Sequence, residues 1–282
     1  MTSPSQVPVR YPSGVSTDQV WGPLANFGQP NPFMYQIESD DLMGPISTDS
    51  DFVGVTSGTG AATTSVAGDG GLWLMTTSTA GAGTSGIIGQ KNTFVLPPQA
   101  YTGTGLTSTL YPSKKVFFLA RINVTNVAAT TGYAGLIPSA TTTALPTDGI
   151  FFVFTNAATV ALAAYSGSTL LWSVPIPAAV LTLYYTNAAW VDIGFYMDRM
   201  QNVYAFMGYP LVGFLPASAW SGVNNVNAQP VPKAAVAAYQ SVYNGAIVNP
   251  WTPTTAALTP GIIMSGAVQT AYADFILAAK ER

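Results

Sequence analysis

The chain has no cysteine and no histidine. Without thiolate or imidazole it can build neither disulfides nor the usual zinc, copper and iron sites, and it lacks the base that most Ser or Cys nucleophiles rely on. Charge is scarce as well: nine Lys and Arg stand against twelve Asp and Glu, a net −3, and charged residues make up only 7% of 282, where an ordinary soluble domain carries about 25%. Nine scattered cations do not make the basic stripe that a phosphate backbone needs, which speaks against nucleic acid as a partner. No apolar run reaches the roughly eighteen residues of a membrane helix. The most apolar zone, 149–186, is cut by Asn156, Ser166-Gly167-Ser168, Pro175 and Pro177. Met1-Thr2-Ser3-Pro4-Ser5 has neither the basic nor the apolar part of a signal peptide, so the expectation is a protein made in the cytoplasm with no membrane partner.

Apolar residues, 48% of the chain, fall mostly in short alternating runs. In Trp190-Val191-Asp192-Ile193-Gly194-Phe195-Tyr196-Met197, Val191, Ile193, Phe195 and Met197 share one face, and Trp190, Asp192, Gly194 and Tyr196 the other. That is a half-buried strand. The polar connector 198–202 leads into Val203-Tyr204-Ala205-Phe206-Met207-Gly208-Tyr209, which alternates again, so the pair reads as a hairpin. Further strands are expected at 72–77, 116–124, 133–137, 149–155, 159–165, 169–174, 181–185, 261–266 and 272–278, with 87–90 as a returning segment. About ten to twelve strands at intervals of about eight to twelve residues, with no long helix and no fixed repeat, predict an all-β, two-sheet antiparallel sandwich.

Two stretches depart from this pattern. Residues 1–43 form an arm in which Pro4, Pro8, Pro12, Pro23, Pro30 and Pro32 block helix and central strand. Its aromatic and apolar side chains, Tyr11, Trp21, Leu24, Phe27, Phe33 and Tyr35 among them, are too dense for a solvated linker. They are the candidate contact residues of an extended segment lying on its own sandwich or on a neighbour. The second stretch, about 216–260, is a Pro-, Asn- and Ala-rich insertion into the sandwich of 44–282, with one short helix expected at 233–243.

Candidate chemistry is thin. Glycoside hydrolysis needs two carboxylates at a set separation, but the only Glu residues are Glu38 and Glu281, read here as arm and terminus rather than strand. Asp192 and Asp198 share a strand face, yet a rise of about 3.3 Å per residue separates them by about 20 Å; Asp192 reads as a solvent-face or hydrogen-bonding residue and Asp198 as a turn residue. Glu38-Ser39-Asp40-Asp41 lacks the calcium-loop pattern and reads as a solvated boundary. Gly81-Ala82-Gly83-Thr84-Ser85-Gly86 matches G-x-G-x-x-G without the strand and helix that give it meaning, and 79–85 is expected to turn. Trp190, Tyr196, Tyr204 and Phe206 could stack on sugar rings, though such rings more commonly form a sandwich's inner layer. No catalytic, cofactor or metal residue is identified, and no enzyme activity is expected.

Arg10-Tyr11-Pro12-Ser13-Gly14-Val15-Ser16-Thr17 with Pro23-Leu24-Ala25-Asn26-Phe27, the Trp190–Phe206 strand pair, and Ala273-Asp274-Phe275-Ile276-Leu277-Ala278-Ala279-Lys280-Glu281-Arg282 resemble virion structural proteins of tailed bacteriophages. That resemblance implies a concanavalin A-like or LamG-like jelly roll that decorates or cements a capsid. The partners it implies are the major capsid protein and further copies of the chain, as a dimer or trimer, and the location is the capsid exterior after synthesis in the host cytoplasm. The alternative is a lectin-like module of a tail or head fibre that binds a surface glycan.

Overall fold

A computed structural model describes residues 35–40, 51–66, 72–77, 83–90, 94, 101–102, 109–110, 116–138, 145–155, 158–176, 178–197, 203–208, 229–230, 257–265 and 269–281. These residues form an all-β sandwich of two antiparallel sheets.

The first sheet has eight strands. Its centre is β8 (Val116–Val124), flanked by β13 (Trp190–Met197) and β17 (Thr270–Glu281). Beyond β13 come β14 (Val203–Gly208) and β15 (Gln229–Pro230); beyond β17 come β4 (Leu72–Thr76) and β3 (Ala62–Val66). β17 is twelve residues long, and β4 covers only its start, Thr270 to Ala273. The edge left open from Ile276 to Glu281 is taken by β1 (Tyr35–Asp40). The arm's last residues are thus hydrogen-bonded to the closing strand.

The second sheet runs β12 (Thr169–Pro175), β11 (Thr159–Ser166), β10 (Gly149–Thr155), β9 (Thr131–Pro138), β16 (Leu258–Ser265), β5 (Thr84–Gly89) and β2 (Phe52–Ser57). A two-stranded ribbon, β6 (Tyr101–Thr102) with β7 (Thr109–Leu110), stands apart. The chain passes between the two main sheets, as in a jelly roll, and the core lies between them.

Alternation explains what that core contains. Val116, Phe118, Ala120, Ile122 and Val124 of β8 face Ile150, Phe152 and Phe154 of β10 across the sandwich, joined by Val191, Ile193, Phe195 and Met197 of β13. Phe118 and Phe195 are register partners, with ring centroids 5.7 Å apart. Each buried Phe contributes about 2–3 kcal/mol by leaving water.

β13 and β14 pair as the predicted hairpin, with Met197 opposite Val203. The β11–β12 hairpin turns on Gly167 (φ 56°) and Ser168 (φ 67°), the primed geometry of a two-residue loop. Asp148 fixes it by accepting the Gly167 N–H at 2.9 Å.

Several sequence expectations need correction. Residues 181–185 are not a strand: α1 (Ala178–Tyr184) is a helix that buries Val180 and Leu181 and leaves Leu183 54% exposed. An apolar run this short fits either period, and Pro177 with two alanines favours a helix start. Thr84 and Ser85 belong to β5 rather than to a turn. Glu38 and Glu281 both lie in strands, and Glu38 is buried rather than solvated. The helix expected at 233–243 and the turn residue Asp198 fall outside the described residues.

Candidate functional site

The carboxylates come first, because they decide whether acid–base chemistry has a place. Glu38 pairs with Ala278, a core residue, and so points between the sheets. A Cβ on Gly89 would run into the Glu38 carboxylate, so a glycine is what leaves that group its room. Glu281 is three residues further along β17 and by alternation faces the other way. The two glutamates therefore do not form the facing pair that glycoside hydrolysis uses.

Asp192 is engaged elsewhere. On the outer face of the eight-stranded sheet its register partner is Arg121, and the pair is bidentate: Arg121 Nε donates to Oδ1 at 2.7 Å and Nη2 to Oδ2 at 3.2 Å. A bulge in β17 sets Asp274 and Phe275 opposite the single residue Arg121, and Nη1 donates to Asp274 Oδ2 at 3.4 Å. The Asp192 side chain is 4% exposed, Arg121 32% and Asp274 26%. The hydrogen bond from Asp192 raises the Arg121 pKa above its ordinary value, against the opposing effect of burial.

One register step away the same three strands place Trp190, Asn123 and Tyr272 in a row. Asn123 is nearly buried; its Nδ2 donates to Ala188 O at 3.0 Å, while its Oδ1 accepts no hydrogen bond. Trp190 and Tyr272 flank it, both half-buried, with their Cα atoms about 10 Å apart at two strand spacings. The loop before β13 is held beside this row by Ala188 N–H to Val124 O at 2.8 Å and by Val127 N–H to Asn187 Oδ1 at 2.9 Å. Toward the other end of the face Phe117, Leu119, Leu277 and Ala279 are buried. Two aromatic rings around an amide, beside a carboxylate–guanidinium–carboxylate row, offer stacking surfaces and hydrogen-bonding groups together.

The outer face of the seven-stranded sheet is built differently. Phe151 stacks on Tyr165 with centroids 5.4 Å apart and meets Tyr133 edge-on at 5.7 Å. Burial raises the Tyr133 pKa, with a smaller contribution from Tyr165. A Cβ on Gly135 would collide with the Ile150 carbonyl and with Cα and Cβ of Phe151, and one on Gly261 with the Ile137 side chain. Glycines thus let neighbouring strands approach closely. None of the seven strands contains a charged residue.

Of the contact residues expected from sequence, Tyr11, Trp21, Leu24, Phe27 and Phe33 fall outside the described residues, and Tyr35 opens β1 opposite Glu281. Trp190 is not in the inner layer; it shares the outer face with Asp192. Sequence reading passed over Arg121, Asn123, Tyr272 and Asp274. One signal was available: Arg121 and Asp192 are lone charges of opposite sign, each inside an apolar strand.

The fold is thus an all-β jelly-roll sandwich. No protein-family model matches the sequence, and no curated protein matches it significantly. Among solved structures the chain is similar to arcelin-5, a lectin-like defense protein from Phaseolus vulgaris, at 9% identity and a TM-score of 0.49, over 88% of this chain and 100% of that one. It is similar to peanut lectin at 7% identity and 0.45, over 87% and 97% of the two chains. A putative beta-glucanase from Mycobacterium abscessus gives 10% identity and 0.45, over 85% and 98%. At such identities no functional residue carries over from these proteins to this chain.

Proposed function

We propose that this chain is a non-enzymatic, lectin-like sandwich that recognises a neutral saccharide, serving as a receptor-binding module of a phage tail or head fibre. The observation that carries this reading is the Trp190–Asn123–Tyr272 row beside Arg121, Asp192 and Asp274. A pyranose ring needs an aromatic surface for its C–H face and fixed donors and acceptors for its hydroxyls, and this row supplies both. Two carboxylates around one guanidinium leave an excess of negative charge, which favours a neutral sugar over an acidic one. A glycan array on the purified chain tests the reading. Signal from neutral glycans and none from sialylated or sulfated ones is expected; silence across the array would sink it.

A second reading, attachment to the major capsid protein, has its own support. Tyr35–Asp40 of the arm is a strand of the sheet, and residues 1–34, which precede it, carry part of the quoted phage-like resemblance. Deleting 1–34 while keeping β1 should then abolish capsid binding and leave the sandwich folded. Undiminished binding by the deleted chain would dismiss it.

A further inference from the structure

Resting on the saccharide reading above, we infer that Asn123 is a positioning residue for Trp190. It holds the turn before β13 in a conformation that the turn's own sequence disfavours, and that turn sets the ring against which a sugar stacks. Thr186-Asn187-Ala188-Ala189 closes with Ala189 N–H donating to Thr186 O at 3.2 Å, and of the four residues Ala188 alone has positive φ, at 56°. This is the type II pattern, whose third residue is normally glycine because a Cβ is crowded there. An alanine stays in that region only where its surroundings hold it. Here β8 holds both polar groups of Ala188: its N–H donates to Val124 O at 2.8 Å, and its O accepts from Asn123 Nδ2 at 3.0 Å. Val127 N–H holds the preceding residue, donating to Asn187 Oδ1 at 2.9 Å. Of these three anchors outside the turn, Asn123 alone is a side chain, so it is the one that a substitution can remove. Two residues after Ala188, Trp190 opens β13 opposite Asn123 itself, so release of the turn reaches the indole directly. Asn123 acts from beneath the rings and not on the sugar, since it is 9% exposed and its Oδ1 is out of contact with solvent. The hydroxyls of a ligand are left to Arg121 and Asp274, whose side chains are 32% and 26% exposed.

Asn123→Leu keeps the volume beneath the rings and removes the donor, while Ala188→Gly removes the strain. In the full chain without ligand, protection of the residue-188 amide from hydrogen exchange should fall about tenfold in Asn123→Leu. It should return to within about threefold of wild type when Ala188→Gly is added. Affinity for the neutral glycan with the strongest array signal should follow the same course, at least tenfold weaker in Asn123→Leu and largely recovered in the double variant. An Asn123 that bonded the sugar itself would not be rescued by a glycine in the turn. Thermal melting shows whether Asn123→Leu is native, and Asn123→Ala takes its place if it is not. A wild-type chain that binds no neutral glycan sinks the saccharide reading and this inference with it. With wild-type binding intact, unchanged protection or unchanged affinity in a natively folded Asn123 variant, or a loss that Ala188→Gly does not recover, overturns the inference alone.

Discussion

Among the described strands, the two sheets of this sandwich differ completely in charge. Every charged residue that lies in a described strand, Glu38, Asp40, Arg121, Asp192, Asp274, Lys280 and Glu281, belongs to the eight-stranded sheet, and the seven-stranded sheet has none. The first holds its outer face together with directed hydrogen bonds that demand register. The second uses close approach, with glycines leaving room for the backbone and side chains of adjacent strands. One face therefore offers directed hydrogen-bonding groups, and the other is apolar. Among the described strands, the charge that composition shows as sparse throughout is confined to one sheet.

Substitutions that exchange these two strategies should show the difference. The largest effect is expected on the neutral side. In Gly135→Ala the new methyl would stand 2.4 Å from Ile150 O and 2.5 Å from Phe151 Cα, so backbone must move, at a cost of about 3 kcal/mol or more. Urea denaturation measures this, and a loss under about 1 kcal/mol would mean that the strands are not packed this closely.

On the charged side, Arg121→Met strands the nearly buried Asp192 carboxylate and should cost about 3 kcal/mol. The double variant Arg121→Met, Asp192→Asn should recover much of that loss. Simple additivity of the two single effects in a double-mutant cycle would show that the row is not coupled. For binding, Tyr272→Ala should lower affinity for a neutral glycan about tenfold with little change in melting, since one stacked ring is worth roughly 1–1.5 kcal/mol.

The smallest effect belongs to the core between the faces. Tyr185 is buried against Phe154, its hydroxyl has no hydrogen-bond partner, and burial pushes its pKa well above the ordinary value. The folded state therefore holds the proton more tightly than the unfolded chain. The stability linked to it is complete below the unfolded pKa near 10 and is lost as pH climbs above it. Tyr185→Phe should be neutral or stabilising by about 1 kcal/mol at pH 7 and should flatten the decline in stability above pH 10; an unchanged alkaline profile would contradict it.

Much of the sandwich was legible because period two is a local signal. The β13–β14 hairpin, the apolar β8, and the run from β10 to β12 all follow from alternation and turn residues. What escaped was set by partners distant in sequence. β1 lies within a proline-rich arm, and it is a strand because β17 outlasts β4 and leaves an edge to be filled. The insertion expected from sequence runs to about 260 and the next strand begins at 261, yet Pro260 sits within β16 where the neighbour changes from Phe94 to β5, so its missing N–H breaks no ladder. The polar row was hidden for the same reason. Arg121 and Asp192 are 71 residues apart, and only the bulge at Asp274 brings in the third member.

The division of labour between the faces is tested most directly by titrating one array-identified neutral glycan into the wild-type chain, Trp190→Ala and Val153→Lys. The charged face should carry recognition: Trp190→Ala loses at least tenfold in affinity, and Val153→Lys binds within about twofold of wild type. The reverse, full affinity in Trp190→Ala and loss in Val153→Lys, would place saccharide recognition on the neutral sheet and contradict the account.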